Sequence, residues 1–222
     1  MSPLEHLARI LAQDGLSITG AFHPTPDDPG AEGRGTVAMV GAVDGAMWSA
    51  FSAAPEATDR AAAPLDRWSA RIVGAAAEAV GAEAVFPFGG PPYAPFMAWA
   101  ARAEGAVPSP IGMSVTAARG LHASWRGAVA FADVLDLRLV SAPQTVPCGQ
   151  CVAPCRTSCP VDAFAGGRYD IAACVAHVSG PEGADCRSGG CLARRSCPAS
   201  MALPPAQRAF HLAAFTTAHL PR

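Results

Sequence analysis

All eight cysteines of this 222-residue chain lie between Cys148 and Cys197. The first run reads Cys148-Gly-Gln-Cys151-Val-Ala-Pro-Cys155-Arg-Thr-Ser-Cys159-Pro160. The second reads Cys186-Arg-Ser-Gly-Gly-Cys191-Leu-Ala-Arg-Arg-Ser-Cys197-Pro198, and Cys174 stands alone between them. Eight thiols make two sets of four, the number that two 4Fe-4S clusters take at one thiolate per iron. Two tetrahedral zinc sites also take four cysteines each, usually as two close pairs per site, and a run of four closed by Cys-Pro is a poor fit to that pattern. Disulfides are the third chemistry open to clustered thiols, and they require an exported chain.

The first run resembles that of bacterial two-cluster ferredoxins, in which the Cys before Pro ligates the other cluster. That resemblance implies one ligand set of Cys148, Cys151, Cys155 and Cys197, and a second of Cys159, Cys174, Cys186 and Cys191. The gap from Cys151 to Cys155 is one residue wider than in the ferredoxin pattern. Pro154 stands in that gap as a stiff insertion with no N–H. The second run is looser, with four and then five residues between its cysteines.

All sixteen basic residues are arginines, and there is no lysine or asparagine. Schiff-base lysine chemistry, a phosphate-loop lysine and Asn-linked glycans are thereby excluded. Through Pro147 there are nine arginines against fourteen acids; from Cys148 onward there are seven arginines against four acids. Two all-thiolate clusters of about −2 each would more than cancel that small excess, so no nucleic-acid partner is expected. Glu5 and Arg9 interrupt the opening segment and no eighteen-residue apolar run occurs, so the expectation is a cytoplasmic protein without a membrane partner.

The elements that must position the cysteines lie mostly upstream. Ser2-Pro3-Leu4-Glu5 carries a capping box with Pro at the first helical position, and Gly15 is the stop. Strands are expected over 16–22, 37–40, 84–88 and 113–116, with an antiparallel pair over 125–132 and 135–140. Helices are expected over 46–53, 64–80, 95–104 and 205–220, with short helices after each Cys-Pro. Trp48, Trp68 and Trp99 fall at helical core spacing. No Gly-x-Gly-x-x-Gly follows a strand, so a nicotinamide Rossmann site is not supported. The expectation is an α+β domain over 1–145, followed by a two-cluster segment with a C-terminal helix over 146–222.

An α+β domain followed by a Cys run, a single Cys and a second Cys run resembles epoxyqueuosine reductase and, more distantly, the reductive dehalogenases. The order of all eight cysteines carries the resemblance, with Cys174 at the isolated ligand and Tyr169-Asp-Ile-Ala-Ala-Cys174 as its approach. It implies a nitroreductase-like mixed sheet with helices, then a bacterial-ferredoxin-like segment whose two clusters pass electrons to a cobalamin. Residues 85–93, where those reductases place a catalytic aspartate, contain no carboxylate here. The helical-repeat domain that holds transfer RNA in that family is also missing from this sequence.

The loops 89–93, 109–114 and 119–126 supply the remaining candidates for a small-molecule pocket: Tyr93, Ser109, Ser114, Arg119, Trp125 and Arg126. His122 is the candidate proton donor, and Arg119 or Arg126 the candidate anion ligand. Arg194 and Arg195, between two cluster ligands, would offset cluster charge. Three functions are carried forward: a redox enzyme whose clusters feed a substrate or corrinoid in the N-terminal domain, a ferredoxin-type relay serving a redox partner protein, and a zinc-stabilised binding protein.

Overall fold

The computed structural model describes residues 1–138, 140 and 142–219. The protein is mixed α and β. Its residues pack as two compact units, Met1–Ala106 with Ser124–Gln144 and Val107–Ala123 with Thr145–Arg222. The expected sequential boundary at 145/146 therefore misses an excursion: residues 107–123 leave the first unit and pack with the cysteines.

The first unit opens with helix α1 (Pro3–Ala12). Ser2 Oγ accepts the Glu5 N–H at 3.2 Å and Glu5 Oε2 accepts the Ser2 N–H at 2.6 Å, so the capping box forms as the sequence dictates. Strands β1 (Ser17–Phe22) and β2 (Thr36–Gly41) pair antiparallel, and helices α2 (Ala46–Ser52) and α3 (Pro64–Ala79) lead to the short β3 (Glu83–Val85). Helix α4 is Phe96–Glu104, and β6 is Trp125–Phe131. The sheet order is β1-β2-β6-β3.

Every residue of β2 is buried, because both faces of the sheet are covered. Val37, Met39, Ala128 and Ala130 pack with Trp99, Ala100 and Ala103 of α4. On the opposite face α3 packs on β6 and β3, and α1 on α3 and β1. Gly127 faces that layer closely, since a Cβ there would stand 3.1 Å from the Val73 side chain and 3.2 Å from the Phe86 ring.

Several expectations change. The mixed sheet is antiparallel in every pairing, because β6 inserts between β2 and β3, the two strands that the α2–α3 crossover would otherwise leave as parallel neighbours. The strand expected over 84–88 is only Glu83–Val85. Pro87 has no N–H for a ladder, and Phe86 and Phe88 stack on each other at 5.1 Å instead. No strand follows β6 among the described residues of 135–140, Leu139 lying outside them. Both edges of β6 are already taken. Thr36 Oγ1 accepts the Leu135 N–H and donates to the Asp133 carbonyl, both at 2.9 Å, which turns the chain at the strand end.

The second unit contains the two-residue strands β4 (Val107–Pro108) and β5 (Ser114–Val115), paired antiparallel, where the sequence predicts one strand over 113–116. Helices α5 (Ile171–Ser179), α6 (Ala184–Gly189), α7 (Leu192–Arg195) and α8 (Pro205–Ala218) follow. Asp170 caps α5 by accepting the Ala173 N–H at 2.9 Å. The helices expected directly after Cys-Pro do not form. A single 3₁₀ turn at Ala165–Gly167 follows the first, and 199–204 are non-helical after the second. The end of the helix expected at Leu220 lies outside the described residues. Among the described residues no helix is long and apolar enough to cross a membrane.

Candidate functional site

All eight cysteines are free thiols, and the second unit distributes them over two cavities. One cavity is walled by Cys159, Cys174, Cys186 and Cys191 together with Phe164, Ala193 and Leu212. The other is walled by Cys148, Cys151, Cys155 and Cys197 together with Val115, Leu121 and Pro154. Among the described residues, no three His, Cys, Asp or Glu side chains gather tightly enough to hold a single metal ion.

Local backbone geometry explains how each run encloses its cavity. Between Cys151 and Cys155 the chain passes through a left-handed residue, Ala153 (φ 52°), and then a 3₁₀ turn from Pro154. The wider gap is thus taken up as a tight corner, on which Val152 stands 94% exposed. That corner turns the Ala153 N–H onto Cys151 Sγ at 3.3 Å, and in the other cavity the Ala163 N–H meets Cys159 Sγ at 3.4 Å. Burial pushes the thiols of Cys148, Cys155, Cys174 and Cys186 up, and negative charge on neighbouring cysteines adds to the rise for each. Thiolates so gathered are costly without positive charge between them, and a cationic iron–sulfide core would supply it.

One hydrophobic cluster includes residues from the linings of both cavities. Ala193 is fully buried, lines the cavity of Cys191, and packs in one cluster with Cys148, Cys155, Cys159, Cys191 and Cys197. Helix α7 has only four residues, so Cys191 on one cavity and Cys197 on the other lie at its two ends.

The excursion 107–123 acts as a clamp on the second run. Ser200 Oγ accepts the Leu121 N–H at 3.0 Å, the Arg194 Nε–H donates to the Leu121 carbonyl at 2.8 Å, and the Met201 N–H donates to the Arg119 carbonyl at 3.4 Å. Gly120 (φ 55°) lies against the backbone of Ala199 and Ser200. Leu121 thereby reaches the cavity of Cys197.

The other candidates are dispersed. His122 is buried, with Nδ1 3.0 Å from the Met201 carbonyl, which assigns the proton to that nitrogen. Burial holds its pKa down, the Met201 hydrogen bond opposes this, and Arg194 and Arg208 lower it further. His122 is therefore a neutral donor inside the clamp, which argues against its role as an acid. Arg119 is 2% exposed in the same clamp. Ser109 is buried on the wall of the cavity of Cys148, where its Oγ faces the Ile111 N–H at 3.4 Å, and Ser114 sits on β5. Tyr93, Trp125 and Arg126 belong to the first unit. Tyr93 is 65% exposed; the Trp125 Nε1–H donates to Glu104 Oε1 at 2.6 Å; and Arg126 pairs with Asp66 at 3.5 Å. Three of the six thus belong to each unit.

Of the two arginines between Cys191 and Cys197, Arg195 pairs with Asp185 at 2.8 Å. Burial lowers the pKa of Arg194 while Cys191 and Tyr169 raise it, and its Nε–H donates to the Leu121 carbonyl. Sequence reasoning missed Tyr169 as a site residue. Its ring lies between Phe164 (4.6 Å, 21°) and Phe215 (5.5 Å, 17°), and burial pushes its pKa up, with Cys174 adding to the rise. The one available signal was an aromatic residue directly before the helix cap Asp170.

No family model, curated protein or solved structure matches the chain.

Proposed function

We propose that the chain is an electron-transfer protein holding two 4Fe-4S clusters, one on Cys148, Cys151, Cys155 and Cys197 and the other on Cys159, Cys174, Cys186 and Cys191. The observation that carries this reading is the grouping of the eight free thiols, four to each of two cavities whose linings meet in one hydrophobic cluster. The donor set fits. It is all thiolate, with apolar neighbours and backbone N–H groups directed at sulfur, the features that hold and tune such clusters. A run of four cysteines closed by Cys-Pro suits a polynuclear cluster better than the close cysteine pairs of a zinc site.

When bound, each cluster supplies a one-electron centre. The chain's own residues exclude water with Leu121, Ala193 and Leu212, and set charge with Arg194. They also keep the two sites adjacent through α7. Delivery to a substrate or corrinoid in the first unit would call on Tyr93, Trp125 and Arg126, of which the last two are committed to Glu104 and Asp66. The relay between redox partners is therefore the better supported function.

The test is iron, sulfide and zinc analysis of protein purified without oxygen, with spectra before and after dithionite. About eight irons and eight sulfides per chain, with a broad visible band that bleaches, is the expected result. Stoichiometric zinc without sulfide would overturn the proposal.

A further inference from the structure

Each cavity is closed by a different segment of the chain. The cavity of Cys148 takes Ser109, Pro110, Val115 and Leu121 from 107–123, and among its described lining residues none comes from α8. The cavity of Cys174 takes Leu212 from α8, and among its described lining residues none comes from 107–123. On α8, Arg208, Leu212 and Phe215 fall at i, i+4 and i+7, which places them on one side of the helix. Leu212 is buried with Val178 and Cys186, and Cys174 and Cys191 pack against the same cluster. Phe215 lies on Tyr169 at 5.5 Å, and Tyr169 lies on Phe164, a wall residue of that cavity, at 4.6 Å.

Arg208 ties the first turn of α8 to the second cysteine run. Its Nε–H donates to the Gly189 carbonyl at 2.8 Å, and its Nη1–H donates to the Leu203 carbonyl just ahead of the helix. The planar fork of an arginine serves two carbonyls at once, which the single ammonium of a lysine does less well. Gly190 has φ 83° and ψ 176°, a conformation open essentially to glycine alone. A Cβ on Gly190 would stand 2.5 Å from the Arg208 Cβ and 2.9 Å from the Arg208 carbonyl oxygen, so α8 rests directly on this corner. The Gly190 N–H donates to the Cys186 carbonyl at 2.9 Å, and Cys191 follows at once. The corner under Arg208 is therefore the one that turns the chain from Cys186 to Cys191, two thiols of one cavity.

We infer that α8 is a cover dedicated to the site of Cys159, Cys174, Cys186 and Cys191, with Arg208 as the positioning residue that holds Cys186 and Cys191 toward it, so that the two sites retain and release iron independently. The inference rests on the two-cluster reading above. Groups that orient metal ligands from behind typically change metal affinity by about 10–100-fold when they are removed, and Arg208 acts on its two cysteines through the backbone between them.

The test is the rate at which a ferrous-iron chelator strips anaerobic, dithionite-reduced protein, with paramagnetic resonance spectra of the same samples. Arg208→Ala is expected to speed the loss of about four irons roughly tenfold, to change one spectrum, and to leave the other four irons at the parent rate. Added to Cys148→Ser, which keeps the Cys174 site, the change is expected to speed release by the same factor; added to Cys174→Ser, it is expected to do nothing. Arg208→Lys is expected to fall between wild type and Arg208→Ala, and it decides by the same comparison where Arg208→Ala does not fold. Acceleration of all the iron alike would make α8 a support of the whole unit, and no acceleration would deny Arg208 its role. Either result overturns the inference and leaves the two-cluster reading standing. Iron-free wild-type protein would overturn both.

Discussion

Gly120 and Ser200 meet backbone to backbone: a Cβ built on Gly120 would stand 2.3 Å from the Ser200 nitrogen. Gly120 also has φ 55°, a conformation that costs an L side chain about 1–2 kcal/mol. Gly120→Ala is therefore expected to push 199–201 away from the clamp, to lower stability by at least about 2 kcal/mol, and to reduce retention of metal at the site of Cys197. Gly112 (φ 77°) has open space around its Cα, so Gly112→Ala isolates the cost of backbone strain. Urea unfolding and iron content of the two variants, compared side by side, check this.

The cavity assignments predict how cysteine variants group. Cys197→Ser and Cys148→Ser are expected to lose the same half of the iron, about four of eight atoms, and to share one residual spectrum. Cys191→Ser and Cys174→Ser are expected to share the complementary one. If Cys191→Ser and Cys197→Ser instead matched each other, because they belong to one run, the division between the cavities would be wrong. Low-temperature paramagnetic resonance of the dithionite-reduced variants distinguishes the two patterns.

Glu104 is a buried acceptor for both the Trp125 Nε1–H and the Thr19 hydroxyl, each at 2.6 Å. Glu104→Leu strands the indole donor and is expected to cost about 3 kcal/mol. Trp125→Phe leaves Glu104 with Thr19 and should cost less. All four tryptophans lie in the first unit, so their fluorescence during urea unfolding reads this unit alone. A Glu104→Leu protein with unchanged stability would reopen a binding role for Trp125.

Acid sensitivity in the first unit has a named source. Hydrogen bonds from Arg71 to both carboxylate oxygens of Glu56, at 2.6 and 2.9 Å, are the largest cause holding its pKa down, from 4.5 to about 2. The folded value is depressed, so this contribution is complete above about 4.5 and disappears as pH falls toward 2. Glu56→Gln is expected to unfold at lower urea than the parent at pH 7, with the gap closing between pH 4.5 and 2. A gap that stayed constant over that window would rule out the ion pair as its cause.

Much of the local structure was legible in the sequence because it is decided by near neighbours. Ser2 and Glu5 write the α1 cap, and Leu65, Trp68 and Ala76 write the buried face of α3. Trp125 was a poor guide, since its partner Glu104 is twenty-one residues away and no periodicity links the two. The strand expected over 135–140 failed for a related reason. Its pattern was adequate, but whether an edge of β6 was open depended on where β2 and β3 paired.

For the candidate site, the sequence by itself determined the inventory: eight thiols in two Cys-Pro runs with one between, no lysine, and a proline in the wider gap. Covalent spacing carries this information, since three cysteines within eight residues cannot be far apart. Tertiary structure alone decided that 107–123 joins the cysteines, that Leu121 and Ser200 are stitched together, and that Tyr169 stacks between Phe164 and Phe215. Those relationships join segments up to about eighty residues apart. They follow from which backbone donors and apolar side chains are satisfied when the chain closes on itself, and a local pattern does not record that.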